Sequence, residues 1–274
     1  MSVVLGGCSV YRTYKRPDVA VIDSLYRQQI SPADSVASIA DLSWKELFTD
    51  PHLQKLIETG LCNNSDLGIA RLRAEEAEAL LQSARLSYLP SISLSPQGTI
   101  GKVEHSKTTK SYDLATSASW EIDIFGKLTN TKREARVVLE QSEAYRQAVQ
   151  TQLIATIANS YYTLLMLDEQ LNISRRTARN WSENLRVMKA LKNAGQTTDM
   201  AVAQTEASKL SVDASLLSLE RQITELENTL LSLLGSVPGD ITRSTLSSQS
   251  FPDTLLVGVP LQLLQRRPDV RQSE

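Results

Sequence analysis

Two long stretches of this chain contain neither glycine nor proline. The first covers residues 127–194, a run of 68, and the second covers residues 196–234, a run of 39; Gly195 alone separates them. Glycine and proline interrupt regular structure most strongly, and helix-favouring Leu, Ala, Glu, Gln, Arg and Lys dominate both runs. The first run would form a helix about 100 Å long, whereas a compact domain of this size has a radius of gyration near ~19 Å. The sequence therefore predicts a long helical hairpin and argues against a globular domain.

The apolar residues of these runs recur with the spacing of helices that pack on other helices. In the second run they follow steps of four and three, a seven-residue repeat. The first run carries two adjacent rows, which predicts that its helix has two neighbours, and an earlier segment repeats the pattern. An ordinary antiparallel bundle would show the same period. The rows are Val212, Leu216, Leu219, Ile223, Leu226, Leu230 and Leu233; Leu153, Ile157, Ser160, Leu164, Leu167 and Leu171 beside Ile154, Ala158, Tyr161 and Leu165; and Leu67, Ala70, Ala74, Ala77, Leu81, Ala84 and Tyr88.

Residues 112–124 alternate with a period of two, and residues 91–100 do so less regularly. This alternation is typical of a β-strand with one apolar face, and a soluble sheet would also show it. Twelve residue steps, tilted by ~45°, rise roughly 29 Å, close to the ~25 Å apolar band of an outer-membrane barrel. We expect the lipid-facing residues to be Tyr112, Leu114, Ala118, Trp120, Ile122 and Ile124, and the lumen-facing residues to be Asp113, Ser117, Ser119, Glu121 and Asp123.

The amino terminus contains Leu5-Gly6-Gly7-Cys8, the pattern of a lipoprotein processing site. Small residues before the cysteine suit signal-peptidase cleavage, after which the thiol of Cys8 would carry a lipid. The four residues before this motif are too few for a complete signal peptide. We therefore expect Cys8 to be lipidated and the true start of the signal to lie upstream.

Composition argues against several classes of function. Lys and Arg number 29 and Asp and Glu 31, a net charge of −2, which does not favour nucleic-acid binding. The two cysteines and two histidines, Cys8, Cys62, His52 and His105, lie far apart in the sequence. They predict no metal site, cofactor or catalytic centre. The longest mostly apolar stretch, residues 153–167, is shorter than the ~20 residues of a spanning helix.

A set of motifs, read together, resembles the TolC-type outer-membrane efflux proteins, in the lipoprotein branch that works with resistance-nodulation-division pumps. Besides the processing site, the motifs are Trp44 to Phe48 with Thr49-Asp50-Pro51, Asn63-Asn64-Ser65-Asp66-Leu67, Tyr88-Leu89-Pro90-Ser91, Ser119-Trp120-Glu121-Ile122-Asp123-Ile124-Phe125-Gly126, the turn at Ala194-Gly195, and Leu264-Gln265-Arg266-Arg267-Pro268-Asp269-Val270-Arg271.

The resemblance implies a mainly α fold with a β-hairpin: long coiled-coil helices of an α-helical barrel plus strands of a trimeric transmembrane β-barrel. It implies a homotrimeric, passive export conduit for drugs or other small molecules, lipid-anchored in the Gram-negative outer membrane with a periplasmic helical extension. The implied partners are a periplasmic adaptor protein and an inner-membrane resistance-nodulation-division transporter. Gly195, Gln196 and Thr197 would form the tip that meets the adaptor, although a plain interhelical turn explains the same residues.

Family members contain two structural repeats, and this chain matches the first plus the opening of the second. We therefore expect a fragment that does not conduct by itself and that leaves Ile154, Ala158, Tyr161 and Leu165 without a covering neighbour. The expected organisation is a truncated signal and extended tether (1–45), periplasmic helices (46–90), a β-barrel hairpin (91–125), a long helical hairpin (126–235), a connector (236–268) and the start of the second repeat (269–274).

Two other classes of protein fit part of the pattern. A periplasmic coiled-coil adaptor would flank its helical hairpin with β-rich halves, whereas the strands here carry Ser, Asp and Glu on one face, which suits a wet lumen. A coiled-coil scaffold without membrane contact would have neither a lipid nor a barrel. The sequence favours the channel subunit, which is not an enzyme.

Overall fold

A computed structural model describes residues 43–101, 108–250 and 267–273 of the chain. In the described residues, a single β-hairpin interrupts a series of helices. The elements are α1 (Trp44–Leu47), α2 (Pro51–Asn63), α3 (Ser65–Leu86), β1 (Ser91–Gly101), β2 (Thr109–Ser119), α4 (Lys127–Asn193), α5 (Asp199–Leu233), a 3-10 turn (Leu246–Ser248) and α6 (Pro268–Ser273). Cys8 and the rest of the predicted tether lie outside the described residues.

The predicted helical hairpin is confirmed, with 67 residues in α4 and 35 in α5. The two helices pack antiparallel along their apolar rows, as the seven-residue repeat indicates. Three ion pairs join α4 to α5. The pair furthest from the turn at Gly195 is formed by Arg175 and Glu220, at 2.9 Å. In the part of the chain that the structure describes, no helix combines the length and the apolar character needed to cross a membrane.

The core lies where α2, α3 and α5 pack against the middle of α4. The sequence predicted two neighbours for the two rows on α4, and the structure shows three, α2, α3 and α5. The expectation of an uncovered second row is wrong: Ala158, Tyr161 and Leu165 are 3%, 0% and 1% exposed. They are covered because α2 also packs on α4. The core residues are Leu53, Ile57, Leu67, Leu153, Ile157, Ala158, Tyr161, Leu164, Leu165, Leu167, Leu171, Ile223, Leu230, Leu234 and Ile241.

Asn64 joins three helices at one point. It ends α2 and caps α3, accepting a hydrogen bond from the backbone N–H of Leu67 at 2.9 Å. Its amide nitrogen donates to the carbonyl oxygen of Leu233, the last residue of α5, also at 2.9 Å. Because the Asn64 side chain is buried and both its ends are bonded, it fixes where α3 starts relative to the end of α5.

The strands pair antiparallel, with Ile92 opposite Ala118 and Ser93 opposite Ser117. Every described residue of both strands is exposed. β2 ends at Ser119, so the regular strand is shorter than the sequence alternation, which continues to residue 124. Residues 120–124 are not part of the strand. They form a junction between β2 and α4, in which several side chains bind residues outside the strand.

Candidate functional site

The register of the hairpin sorts its side chains into a polar and an apolar face. Ser91 pairs with Ser119 and Ser93 with Ser117, and the hydroxyl oxygens of each pair lie 2.7 Å apart. Asp113 lies opposite Gln97 on this same face. The alternate positions of β2 carry Tyr112, Leu114 and Ala118, opposite Gly98, Pro96 and Ile92. The structure thus separates the two sets of strand residues as the sequence predicted, while the environment of each face stays a prediction.

The other predicted strand residues lie in the junction after β2. The indole N–H of Trp120 donates to the carbonyl oxygen of Tyr88 at 3.1 Å. Glu121 forms an ion pair with Lys127 at 2.8 Å. Ile122 and Ile124 are 65% and 76% exposed, and neither lies in the strand.

Asp123 has a structural role that the sequence interpretation missed. Its carboxylate accepts from the backbone N–H groups of Leu128 and Thr129, both at 2.9 Å, and from the hydroxyl of Thr129 at 2.6 Å. Gly126, the residue that precedes α4, has a positive φ of 75° and no side chain to cap the helix. Asp123 therefore supplies the acceptor for the first turn of α4. An acidic residue shortly before a long helical pattern was the available signal.

The tip of the helical hairpin is an ordered turn. Gly195 has a φ of 71°, and the N–H of Gln196 donates to the carbonyl oxygen of Leu191 at 2.9 Å, the pattern of a Schellman motif. Thr198 caps α5 through the N–H of Ala201 at 3.3 Å. Gln196 is exposed and Thr197 half-buried. The turn explains Gly195 structurally and leaves the Gln196 side chain available for a partner.

Two buried polar clusters attach the segment after α5 to the helices, and sequence reasoning found neither. In the first, the carboxylate of Asp50 accepts from the hydroxyl of Tyr161 at 2.6 Å, from Gln249 at 2.9 Å and from the N–H of His52 at 2.8 Å. Burial alone would raise the pKa of the Asp50 carboxyl, but these hydrogen bonds outweigh it, and the pKa lies below its usual value. Burial and the bond to Asp50 raise the pKa of Tyr161 to about 12.

Arg243 forms the second cluster. Its guanidinium makes two hydrogen bonds to Asp168 of α4, at 2.5 and 2.8 Å, and one to Glu227 of α5. The side chains of Arg243 and Glu227 are only 15% and 11% exposed. Hydrogen bonds to Asp168 foremost, and then to Glu227, raise the pKa of Arg243 despite its burial. The cluster is structural, because each ionic group is occupied by the others.

Among the described residues, no group of three or more His, Cys, Asp or Glu side chains is placed to bind a metal ion. Cys62 is an exposed free thiol at the end of α2.

The two-faced β-hairpin lies between α3 and the 67-residue helix α4. The sequence profile described as "Outer membrane efflux protein" matches residues 56–236. The chain belongs to this outer membrane efflux protein family.

Two relatives match 99% of this chain. The "Probable outer membrane lipoprotein SilC" of Salmonella typhimurium is 31% identical over 99% of this chain, and the "Probable efflux pump outer membrane protein TtgC" of Pseudomonas putida is 27% identical over 99%. Among solved structures, crystal structures of CusC give a TM-score of 0.78 at 26% identity, and the MtrE channel of Neisseria gonorrhoeae gives 0.77 at 27%, each over 97% of this chain. The chain spans 60% of SilC, 58% of TtgC and 60% of both solved chains.

Proposed function

We propose that the chain is part of the outer-membrane channel subunit of a tripartite efflux pump, a passive conduit that carries drugs or other small molecules across the periplasm and outer membrane. The observation that carries the proposal is the hairpin register, which places Ile92, Leu94 and Ala118 on one face and the paired serines on the other. An exposed apolar face of this kind marks a contact with lipid or protein, and the alternation of an apolar and a polar face is that of a membrane β-barrel strand.

The proposed assembly is a homotrimer. In lipid, backbone groups at open strand edges cost several kcal/mol each, so a two-stranded hairpin must find further strands. The other copies and the remaining part of the subunit would supply them. We propose that Tyr112, Leu114 and Ala118 of β2, and Trp120, Ile122 and Ile124 of the junction, face lipid. Asp113, Ser117 and Ser119 of β2 would face the water-filled side, whereas Glu121 and Asp123 bind the start of α4.

The tip of the helical hairpin is proposed to meet a periplasmic adaptor, and an inner-membrane resistance-nodulation-division transporter would supply the energy. Gly195, Gln196 and Thr197 form this contact in the proposal. The structure supports it with an ordered turn whose Gln196 side chain is exposed. The proposal includes no enzymatic step.

Cys8 is proposed to carry the lipid that anchors the protein. Mass spectrometry of the protein from outer membranes is expected to find a diacylglyceryl group on this cysteine. An unmodified Cys8 thiol in that material would contradict the anchor.

The alternative of a periplasmic adaptor gains no support from the comparisons, because the relatives are outer-membrane proteins. Membrane fractionation separates the alternatives. The channel subunit is expected in the outer-membrane fraction and in solution only after detergent extraction. Recovery in the periplasm without detergent would refute the proposal and favour a periplasmic adaptor or a scaffold without membrane contact.

A further inference from the structure

The junction between β2 and α4 exposes large apolar side chains directly beyond the apolar face of the strand. Trp120, Ile122, Ile124 and Phe125 are 64%, 65%, 76% and 86% exposed. Trp120 is held in place by its hydrogen bond to the carbonyl oxygen of Tyr88. These four residues are called the apolar collar, and they continue the surface that the proposed function places in lipid.

The first turns of α4 add positive charge next to the apolar collar. Thr129, Lys132, Arg133 and Arg136 follow the spacing i, i+3, i+4 and i+7, so they share one face of the helix. The hydroxyl of Tyr88 donates to Thr129 at 3.1 Å, which places this face beside the collar.

Part of the charge on this face is compensated. Acidic residues near the start of α4 are Glu121, Asp123, Glu134 and Glu140, and Glu121 pairs with Lys127 at 2.8 Å. The ammonium of Lys132 lies 5.7 Å from the ring centroid of Tyr88. Among the described residues Lys132 and Arg133 have no ion-pair partner, whereas Arg136 pairs with Glu140 at 3.2 Å. Lys132 and Arg133, together called the basic pair, are therefore free to bind an anion.

We propose that the apolar collar and the basic pair form a binding surface for anionic phospholipids in the periplasmic leaflet of the outer membrane. The collar would contact acyl chains near the headgroups, and the basic pair would bind the phosphates. The inference rests on the proposed function, because it needs the hairpin to lie in the outer membrane.

The distances along α4 fit this placement. Lys132 and Arg133 lie five and six residues after Lys127, a rise of about 8–9 Å. The headgroup layer on one side of a bilayer is roughly 5–8 Å thick, and long cationic side chains reach several Å along the helix toward phosphates. The N-terminus of α4 does not compete for the phosphate, because the carboxylate of Asp123 already occupies it.

Vesicle flotation of the purified full chain tests the proposal. The vesicles contain phosphatidylcholine alone or a 3:1 mixture of phosphatidylcholine and phosphatidylglycerol. A basic residue near an anionic surface strengthens binding by about fivefold, so the double variant Lys132→Gln/Arg133→Gln is expected to lose roughly 25-fold in affinity for the mixed vesicles. Its binding to neutral vesicles should be unchanged, and circular dichroism verifies that the helices remain folded.

The matched control is Arg176→Gln/Arg179→Gln, which removes two exposed charges from the same helix about 66 Å further along. This control is expected to keep the preference for mixed vesicles. Equal binding of the unmodified chain to both kinds of vesicle, or equal losses in the two double variants, would overturn the proposal. A chain that floats with neither kind of vesicle would instead refute the membrane function, and this inference with it.

Discussion

The hydroxyl group of Tyr161 lies 2.6 Å from the carboxylate of Asp50, although 111 residues separate them in the sequence. The same hydroxyl accepts a hydrogen bond from the backbone N–H of Ser244 at 3.1 Å. Asp50 caps α2, Tyr161 lies in the middle of α4 and Ser244 follows α5. One phenol group therefore connects three parts of the chain in a water-excluded position.

Replacing Tyr161 by Phe is expected to lower the free energy of unfolding by about 1.5–3 kcal/mol, the usual contribution of a hydrogen bond to a charged group. The change removes the donor to Asp50 and the acceptor for Ser244 with little change in volume. Denaturant unfolding followed by circular dichroism measures it. The control is Tyr145→Phe, the same chemical change in a half-buried residue of α4, and an equal loss in the control would contradict the assignment.

Stability should depend on pH through Asp50. The pKa of Asp50 in the folded state lies below the usual 3.8. Its contribution to the free energy of unfolding is therefore complete above the unfolded-state pKa and is lost as the pH falls through the folded-state pKa. Tyr161→Phe raises the folded-state pKa toward 3.8. The stability difference between the original chain and this variant should therefore narrow below about pH 4, and a difference that stays constant from pH 7 to pH 3 would exclude this role for Asp50.

Replacing Arg243 by Gln is expected to cost about 2–4 kcal/mol, somewhat less than breaking a wholly buried pair because Asp168 is partly exposed. The loss leaves the buried carboxylate of Glu227 without its cation. Adding Glu227→Gln to this variant should recover part of the loss. The control Arg175→Gln breaks an exposed pair with Glu220 and should cost less than about 1 kcal/mol; chemical denaturation compares the variants.

The two faces of β2 should respond differently to a charge. In outer membranes, Ala118→Lys is expected to destabilise the protein by roughly 2–4 kcal/mol, because the ammonium group would face hydrocarbon. Ser117→Lys lies one residue away on the polar face and should be tolerated. Folding titrations in lipid vesicles provide the comparison, and similar costs at the two positions would refute the assignment of the faces.

A bulky residue at the tip should interfere with the proposed adaptor contact. Gln196→Trp leaves the backbone turn intact, because its N–H still donates to Leu191, and is expected to reduce both adaptor crosslinking and drug export. Gln222→Trp places the same bulk on an exposed position within α5 and should leave both unchanged. Unaltered crosslinking and export in the Gln196 variant would show that the tip is an interhelical turn without a role in adaptor binding.

The sequence predicted the helices, the tip and the two faces of the hairpin because each depends on local period or on turn chemistry. Leu153 to Leu171 and Val212 to Leu233 repeat at helical spacing, and Gly195 is the single break between them. The polar clusters could not be predicted in this way. Arg243 meets Asp168 and Glu227 only after the segment beyond α5 folds back, a relationship without a sequence period.

The end of β2 illustrates a second limit. Asp123 continues the alternation of Asp113 and Ser117, yet its carboxylate binds the first turn of α4. A period of two describes which way side chains point while the backbone stays extended. It cannot show where the backbone stops being extended, and Gly126, with its positive φ, marks that change only three residues later.

The hydrogen bonds of Asn64 also set the rotational phase of α3. Each residue added to an α-helix turns the following side chains by about 100°, so one inserted residue between Asn64 and Leu67 would rotate every later member of the apolar row. Tyr88, which holds Trp120 and Thr129 at the other end of α3, would lose its alignment with the junction. A single amide group near the core therefore determines the angular position of residues that lie more than 30 Å away along the helix.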